Sequence, residues 1–251
     1  MEFDKKVVLV TGASSGIGQA AAFKFANEGA NVAAVARRIE KLQNLREQSQ
    51  NIYPFAADLT SEDQTSAVVK SIIDKLGRID VVIHAAGIIG TGSIENVSLS
   101  NWDVMMNINL RSILQLTQLS LPELIKNKGN VVCVSSVAGL RSFPGILAYS
   151  VSKAALDQFT RCTALELASK GVRVNGVNPG VVVTQLHRSG GMNEEQYQAF
   201  LESSTTTHPL GRVGTAEEIA DLILFLASSR ASWITGITCS IDGGRALTCA
   251  R

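Results

Sequence analysis

The run Lys6-Val-Val-Leu-Val10, followed at once by Thr11-Gly-Ala-Ser-Ser-Gly-Ile-Gly18, leaves few folds open to this chain. A short, unbroken apolar run reads as a strand buried on both faces, as in a parallel sheet. From about Ile17 to Glu28 the pattern is helical, and Gly29 is a stop signal. The glycines therefore fall at a junction of strand and helix. Such a junction presents free backbone N–H groups and the positive end of a helix dipole, which suits a pyrophosphate. Gly12 would permit the tight turn, Gly16 the close approach of backbone to ligand, and Gly18 the packing of helix on sheet. The spacing is Gly-x-x-x-Gly-x-Gly, not the standard dinucleotide fingerprint, and glycines also make ordinary turns. The context gives the loop its meaning, because a second strand, Asn31-Val-Ala-Ala-Val35, follows the helix. It ends in Ala36-Arg37-Arg38, with no acid before Glu40. At that place an acid binds the 2′-hydroxyl of NAD, and a base accommodates the 2′-phosphate of NADP. Arg37 and Arg38 thus predict NADP, unless they only begin a solvated helix.

Further along, six or seven strand-like runs alternate with helical patterns. The expected class is α/β, a Rossmann-type doubly wound parallel sheet in a single domain over 1–251. The chain has 251 residues, 45% of them hydrophobic, enough for one substantial core. No linker, repeat or low-complexity stretch divides it. A formal charge of +1 gives no reason to expect nucleic acid or an anionic membrane as partner. The longest apolar runs, such as Leu222–Ala227, are too short to span a bilayer, and the N-terminus starts on a strand with no cleavable signal. Cys133, Cys162, Cys239 and Cys249 lack metal spacing and read as reduced thiols of a cytoplasmic protein. Cys133 lies mid-strand, where buried packing is its expected role. No cluster of ligating residues suggests a metal. Two capping boxes are expected, Ser100 with Asp103 ahead of a long helix to about Lys126, and Thr215 with Glu218 ahead of a helix to about Ala227.

Chemistry is carried by Tyr149 and Lys153 in Ala148-Tyr-Ser-Val-Ser-Lys153, with Ser136 upstream. On a helix, residues i and i+4 share a face, although such pairs also arise by chance on exposed helices. An ammonium beside a phenol favours the phenolate and lowers its pKa. A drop of roughly three units needs about 4 kcal/mol, within reach of one close cation plus a cationic ring. Such a tyrosine can give a proton to a carbonyl oxygen, or take one from an alcohol, near neutral pH.

Together these residues resemble the short-chain dehydrogenase/reductase family, in its branch of single-domain enzymes of about this length, over almost the whole chain. The resemblance rests on Thr11, Gly12, Gly16 and Gly18, on Asp58-Leu59, on Asn109, Ser136, Tyr149 and Lys153, and on Asn178-Pro-Gly-Val-Val-Val-Thr184. It implies Asn109, Ser136, Tyr149 and Lys153 as catalytic residues. It implies Asn109 within a local break of its helix that frees backbone for a water. Cofactor contacts are expected from Gly12, Ser14, Ser15, Gly16, Ile17 and Gly18 at the turn, and from Arg37 and Arg38 at the ribose. Asp58 and Leu59 are expected at the adenine. Ala85, Ala86 and Gly87 follow the fourth strand, and Pro179, Gly180, Val182 and Thr184 follow the sixth, with Val182 backbone and Thr184 on the carboxamide. Tyr149 and Lys153 are expected to reach the nicotinamide ribose. One motif departs from the family, since the usual Asn-Asn-Ala-Gly reads His84-Ala-Ala-Gly87. His84 is expected to be structural.

The segment Gln185–Pro209 is expected to cover the active site as a loop and helix. It carries Leu186, Met192, Tyr197, Phe200 and Leu201, with Glu194, Glu195 and Glu202 outward. Leu140, Phe143, Ile146 and Leu147 would line the approach from Ser136. Of these, Leu140, Phe143, Leu186 and Tyr197, with Ser136, are the expected substrate contacts. An apolar pocket with a polar catalytic end favours a medium-sized apolar ketone or alcohol, of steroid, retinoid-like or xenobiotic kind, reduced with NADPH. The second reading is reduction of a 3-oxoacyl thioester on an acyl carrier. Arg111, Arg141 and Arg188 are too scattered in sequence to establish a docking surface for it. A third, from another class, is an NADP-binding sensor without turnover, but such relatives lack the Tyr or Lys. The resemblance also implies a homotetramer, with helices near 100–126 and 149–169 at one interface and the C-terminal strand at another. Leu110, Ile113, Leu114, Leu116, Thr117 and Leu121 are more apolar positions than one buried stripe needs.

Overall fold

A computed structural model of the chain describes residues 1–248. The elements run β1 (Val7–Thr11), α1 (Gly16–Asn27), β2 (Asn31–Ala36), α2 (Ile39–Gln48), β3 (Ile52–Ala56), α3 (Glu62–Leu76) and β4 (Val81–His84). Then come α4 (Leu99–Met106), α5 (Ser112–Asn127), β5 (Asn130–Val134), α6 (Val137–Leu140), α7 (Leu147–Leu167) and β6 (Arg173–Pro179). The chain ends with α8 (Leu186–Ser189), α9 (Glu194–Thr207), α10 (Ala216–Ala227) and β7 (Thr238–Ile241). The seven strands form one sheet in the order β3-β2-β1-β4-β5-β6-β7, every pair parallel.

All five residues of β1 are buried, which is why it reads as an unbroken apolar run. Val8 and Val10 pack with Phe25, Leu42 and Ile219, so α1, α2 and α10 cover one face. Val7 and Leu9 pack with Ile72, Leu116 and Leu156, so α3, α5 and α7 cover the other. The alternation of strand side chains thus divides the core into two layers around the sheet. Strand order reverses between β1 and β4, and this opens a crevice at the carboxyl ends of the central strands.

Local signals set the element ends. The Thr215–Glu218 capping box is present at α10. The expected Ser100 cap is not, because the helix starts two residues earlier. Ser98 accepts from Asn101 N–H at 3.1 Å, which places Ser100 inside α4. The long helix expected to reach about Lys126, with a local break at Asn109, is interrupted there by a π-helical segment, Asn107–Arg111, between α4 and α5. Ser136 does not end β5 but caps α6, accepting from Ala138 N–H at 3.1 Å.

Candidate active site

Three strand ends meet at the crevice. Thr11, the last residue of β1, accepts from Ala85 and Ala86 N–H at 3.0 Å each and donates to Ile83 O at 3.2 Å. It ties β1 to the loop after β4, where the Asn side chains of the family motif are absent. His84 is buried, and Thr117 Oγ1 lies 2.9 Å from its Nε2. The Thr117 hydroxyl hydrogen is spent on Ile113 O, so His84 Nε2 donates. Burial pushes the His84 pKa down to about 3, and the ring is a neutral brace between β4 and α5.

Past that loop, Asn109 grips Ile88 with both ends of its amide. Its Oδ1 accepts from Ile88 N–H (2.9 Å), and its Nδ2 donates to Ile88 O and to Ser152 Oγ (both 3.0 Å). A Cβ placed on Gly87 would lie 3.3 Å from Asn109 Oδ1 and 3.6 Å from Lys153 Nζ, so any side chain there would wedge between them. Tyr149 and Lys153 sit one turn apart on α7, both buried, and both face this point. Lys153 Nζ donates to Val134 O at 2.9 Å and lies 5.8 Å from the centre of the Tyr149 ring.

The titration of Tyr149 differs from the sequence expectation. Burial raises its pKa, and only the neighbouring Ser136 side chain pulls it back. The Lys153 ammonium does not lower it, because that ammonium is turned to the Val134 carbonyl and is itself buried. Burial brings Lys153 down to about 8, against the opposing pull of Asp157 and of Cys133. Each group carries a desolvation cost, and neither relieves the other.

Beneath these residues lies a buried polar layer that sequence reasoning missed. Asn178 Nδ2 reaches both Asp157 oxygens (3.1 and 2.9 Å) and Ser136 O (3.0 Å), so β6, α7 and Ser136 share one anchor. Asp157 is one turn beyond Lys153, and nothing in its sequence neighbourhood separates a buried Asp from a solvated one. Cys133 is also buried, and burial pushes its thiol up to about 12, which makes it an inert packing residue. Cys162 and Cys239 are free, and Cys249 lies outside the described residues.

The turn after β1 has the form of a phosphate cradle. Gly12 and Gly16 have φ of 64° and 56°. A Cβ on Gly12 would lie 2.8 Å from backbone atoms of Ala85 and Ala86, and one on Gly18 would lie 2.5 Å from Gly12 O. The glycines thus let turn, helix and the β4 loop close on one another. Ser15 caps α1 without a side-chain hydrogen bond, so Ser14, Ser15 and Ile17 surround a helix start that no side chain closes. At the end of β2, Arg37 and Arg38 are exposed. Asp58 is held below the usual carboxylate range by the Thr60 N–H and hydroxyl, with a further pull from Arg37. Arg37 and Asp58, followed by Leu59, therefore share one corner. A dinucleotide fits this donor set, with anionic phosphates at the open helix start and a cation at the far ribose. Among the described residues no group of three or more His, Cys, Asp or Glu could hold a metal, and no helix is long and apolar enough to cross a membrane.

A cavity of about 270 Å³ opens beside Ala148, lined by Ile88, Ile89, Val97, Val104 and Met105, with Gly190 from the covering segment. None of Leu140, Phe143, Leu186 and Tyr197 lines it. Leu140 is exposed, Leu186 is half-buried on α8, and Phe143 packs with Tyr149 under the Arg245 guanidinium, 5.0 Å from its ring centre. Tyr197 is fully buried. Its hydroxyl donates to Thr184 O (3.0 Å) and accepts from Thr184 N–H (3.3 Å), so it braces the segment after Pro179-Gly180 from within.

With this geometry in hand, comparison with known proteins is decisive. Residues 12–246 match the family model described as enoyl-(acyl carrier protein) reductase. The chain is 39% identical to the 3-oxoacyl-[acyl-carrier-protein] reductase of Thermotoga maritima, over 97% of this chain and 99% of that one. The chain belongs to the short-chain dehydrogenase/reductase family. Another member, the glucose 1-dehydrogenase of Gluconobacter oxydans, is 37% identical over 98% of this chain and 93% of its own. A short-chain dehydrogenase/reductase of unknown function from Caenorhabditis elegans, solved with cofactor, superposes with a TM-score of 0.94 at 36% identity. It covers 100% of this chain and 98% of that one. The chain is thus an oxidoreductase of a family that binds nicotinamide cofactors and acts on C=O and CH–OH groups.

Proposed function

We propose that this enzyme reduces the 3-oxo group of an acyl thioester with NADPH. The carrying observation is the pairing of the Ser136–Tyr149–Lys153 site with 39% identity, over nearly the full length, to a 3-oxoacyl-[acyl-carrier-protein] reductase. This reverses the order in which the sequence alone placed the substrates. The apolar-ketone reading keeps one support, the lining of Ile88, Ile89, Val97, Val104 and Met105.

In this reading the Gly16–Gly18 helix start takes the pyrophosphate, Arg37 with Arg38 the 2′-phosphate, and Asp58-Leu59 the adenine side. Val182 and Thr184 take the carboxamide, and Lys153 the nicotinamide ribose. NADPH supplies the hydride. The Ser136 hydroxyl holds the carbonyl oxygen, and Tyr149 Oη gives it a proton. Asn109 keeps the Ile88 loop in place, while the π-helical backbone around it offers a seat for the water that returns the proton. Burial of Tyr149 works against its ionisation, which keeps the proton on the acid until the carbonyl oxygen takes it.

A cytoplasmic setting and a homotetramer complete the proposal. The free thiols suit a reducing compartment. Exposed Leu99, Val104 and Leu114 beside a groove between α4, α5 and α7 suit an interface. The test is NADPH consumption against acetoacetyl-CoA and a panel of apolar ketones. The reading expects the thioester to show the highest kcat/KM. A ketone preferred tenfold or more would restore the other substrate class, and no consumption with any of them would support a sensor.

A further inference from the structure

The covering segment does more than close over the cavity. Val181 N–H donates to His208 Nε2 at 3.1 Å, and His208 Nδ1 lies 2.6 Å from Ser204 O in the last turn of α9. A carbonyl can only accept, so Nδ1 carries the proton and Nε2 is free to accept. Three residues on, Thr184 has both backbone groups bound by the Tyr197 hydroxyl, which comes from the first turn of α9. Between these clamps Gly214 N–H donates to Val181 O (2.9 Å), and Gly214 O accepts from Val183 N–H (3.1 Å). Among the described residues, Val182 has no partner for its N–H or its C=O, although it is buried. Buried backbone groups left unpaired are rare and point to a missing partner.

Both clamps are built firmly. Tyr197 is fully buried, with the Arg188 guanidinium 3.8 Å from its ring centre, and Arg188 is paired with Glu194 at 2.7 and 2.9 Å. A Cβ on Gly180 would lie 2.7 Å from His208 Nε2, so the turn after β6 has been kept bare to admit the imidazole. Neither clamp residue comes from the sheet.

We propose that Tyr197 and His208 are positioning residues through which α9 sets the shape of Val181–Thr184. The covering segment must then be docked for the nicotinamide half of the cofactor to be held. By linkage, binding of that half docks the segment in turn. The proposal rests on the assignment of Val182 and Thr184 to the carboxamide.

The experiment compares NADPH with its adenosine fragment, 2′,5′-ADP, in direct binding titrations. Tyr197→Phe keeps the ring and removes both bonds to Thr184. It should weaken NADPH about three- to tenfold, the worth of a typical net hydrogen bond, and leave 2′,5′-ADP within about twofold. Hydrogen exchange of the peptide carrying Thr184 should quicken in the cofactor-free variant. His208→Leu should act likewise. His208→Gln, which can accept from Val181 and donate to Ser204, should recover most of the loss. NADPH bound as tightly by Tyr197→Phe as by wild type, or both ligands weakened equally, overturns the proposal. Wild-type titrations decide the cofactor separately. Should NADH bind better than NADPH, the NADPH reading fails, and NADH against 5′-AMP decides the role of α9 by the same criterion.

Discussion

Lys153 shows what burial costs an ammonium. Its ammonium is buried with Val134 O as its hydrogen-bond acceptor, and burial brings its pKa from 10.5 to about 8. A depression of that size corresponds to roughly 3 kcal/mol of native-state cost. Lys153→Met should therefore stabilise the cofactor-free protein while removing turnover. About 2–4 °C per kcal/mol is expected for a chain of this size, so the melting temperature should rise by several degrees. Below pH 8 the amine is charged in both states, and the folded state carries the whole cost. As pH rises from 8 toward 10.5 the folded amine loses its proton first, so the cost fades. Thermal unfolding across that range should show the advantage of the variant largest below pH 8 and shrinking above it. A variant less stable than wild type at pH 7 would contradict this. At this scale the grouping of Ser136, Tyr149 and Lys153 was legible, because residue types and spacing along a helix place side chains on one face. The charge coupling between Tyr149 and Lys153 was not, since spacing along a helix does not say where an ammonium turns. Asp157 and His208, and the bridging role of Asn178, were invisible for a related reason. Their work is done across elements, by distances that sequence does not contain.

Elements meet most tightly at the first turn. A Cβ on Gly18 would strike Gly12 O at 2.5 Å, and the obstacle is backbone, so the turn itself must move. Gly18→Ala should lower stability by about 1–3 kcal/mol and weaken cofactor binding with it. Gly77, the C-cap of α3, has φ 79° and nothing within 4 Å of its Cβ position. Gly77→Ala should cost about 1–2 kcal/mol through backbone strain alone and leave cofactor affinity unchanged. Paired denaturation and binding measurements on the two variants check this, and equal effects on affinity would contradict it. Strand and helix identities came through in the sequence because alternation and apolar runs report burial directly. The break at Asn107–Arg111 followed from family resemblance, since no Pro or Gly marks it. The misplaced cap at Ser100 has a simple cause, as Ser98 and Ser100 both precede a helix-like pattern and only geometry selects the first.

For the whole molecule, the sheet ends on β7, whose outer edge pairs with no strand among the described residues. Near it Trp233 is 99% exposed and Ile237 is exposed. On another side, Leu99 (81%), Val104, Leu114 and Val151 are exposed along α4, α5 and α7. Two separate apolar surfaces on one chain fit an assembly with two kinds of interface. Light scattering at micromolar concentration should give four times the 26.7 kDa of one chain, and a clean single-chain mass would refute the tetramer. The cavity lining was the least legible feature at this scale. Ile88, Ile89 and Met105 reach it from the β4 loop and α4, whereas the expected Tyr197 faces inward to Thr184.

The central claim is that Tyr149 supplies the proton in a cofactor-dependent reduction. Its most direct test is Tyr149→Phe, assayed for kcat with NADPH and acetoacetyl-CoA alongside NADPH affinity. The variant deletes one oxygen used mainly in the transition state, so turnover should fall about 10²–10⁴-fold with NADPH binding nearly unchanged. A variant that keeps more than about a tenth of the wild-type rate would show that Tyr149 is not the acid.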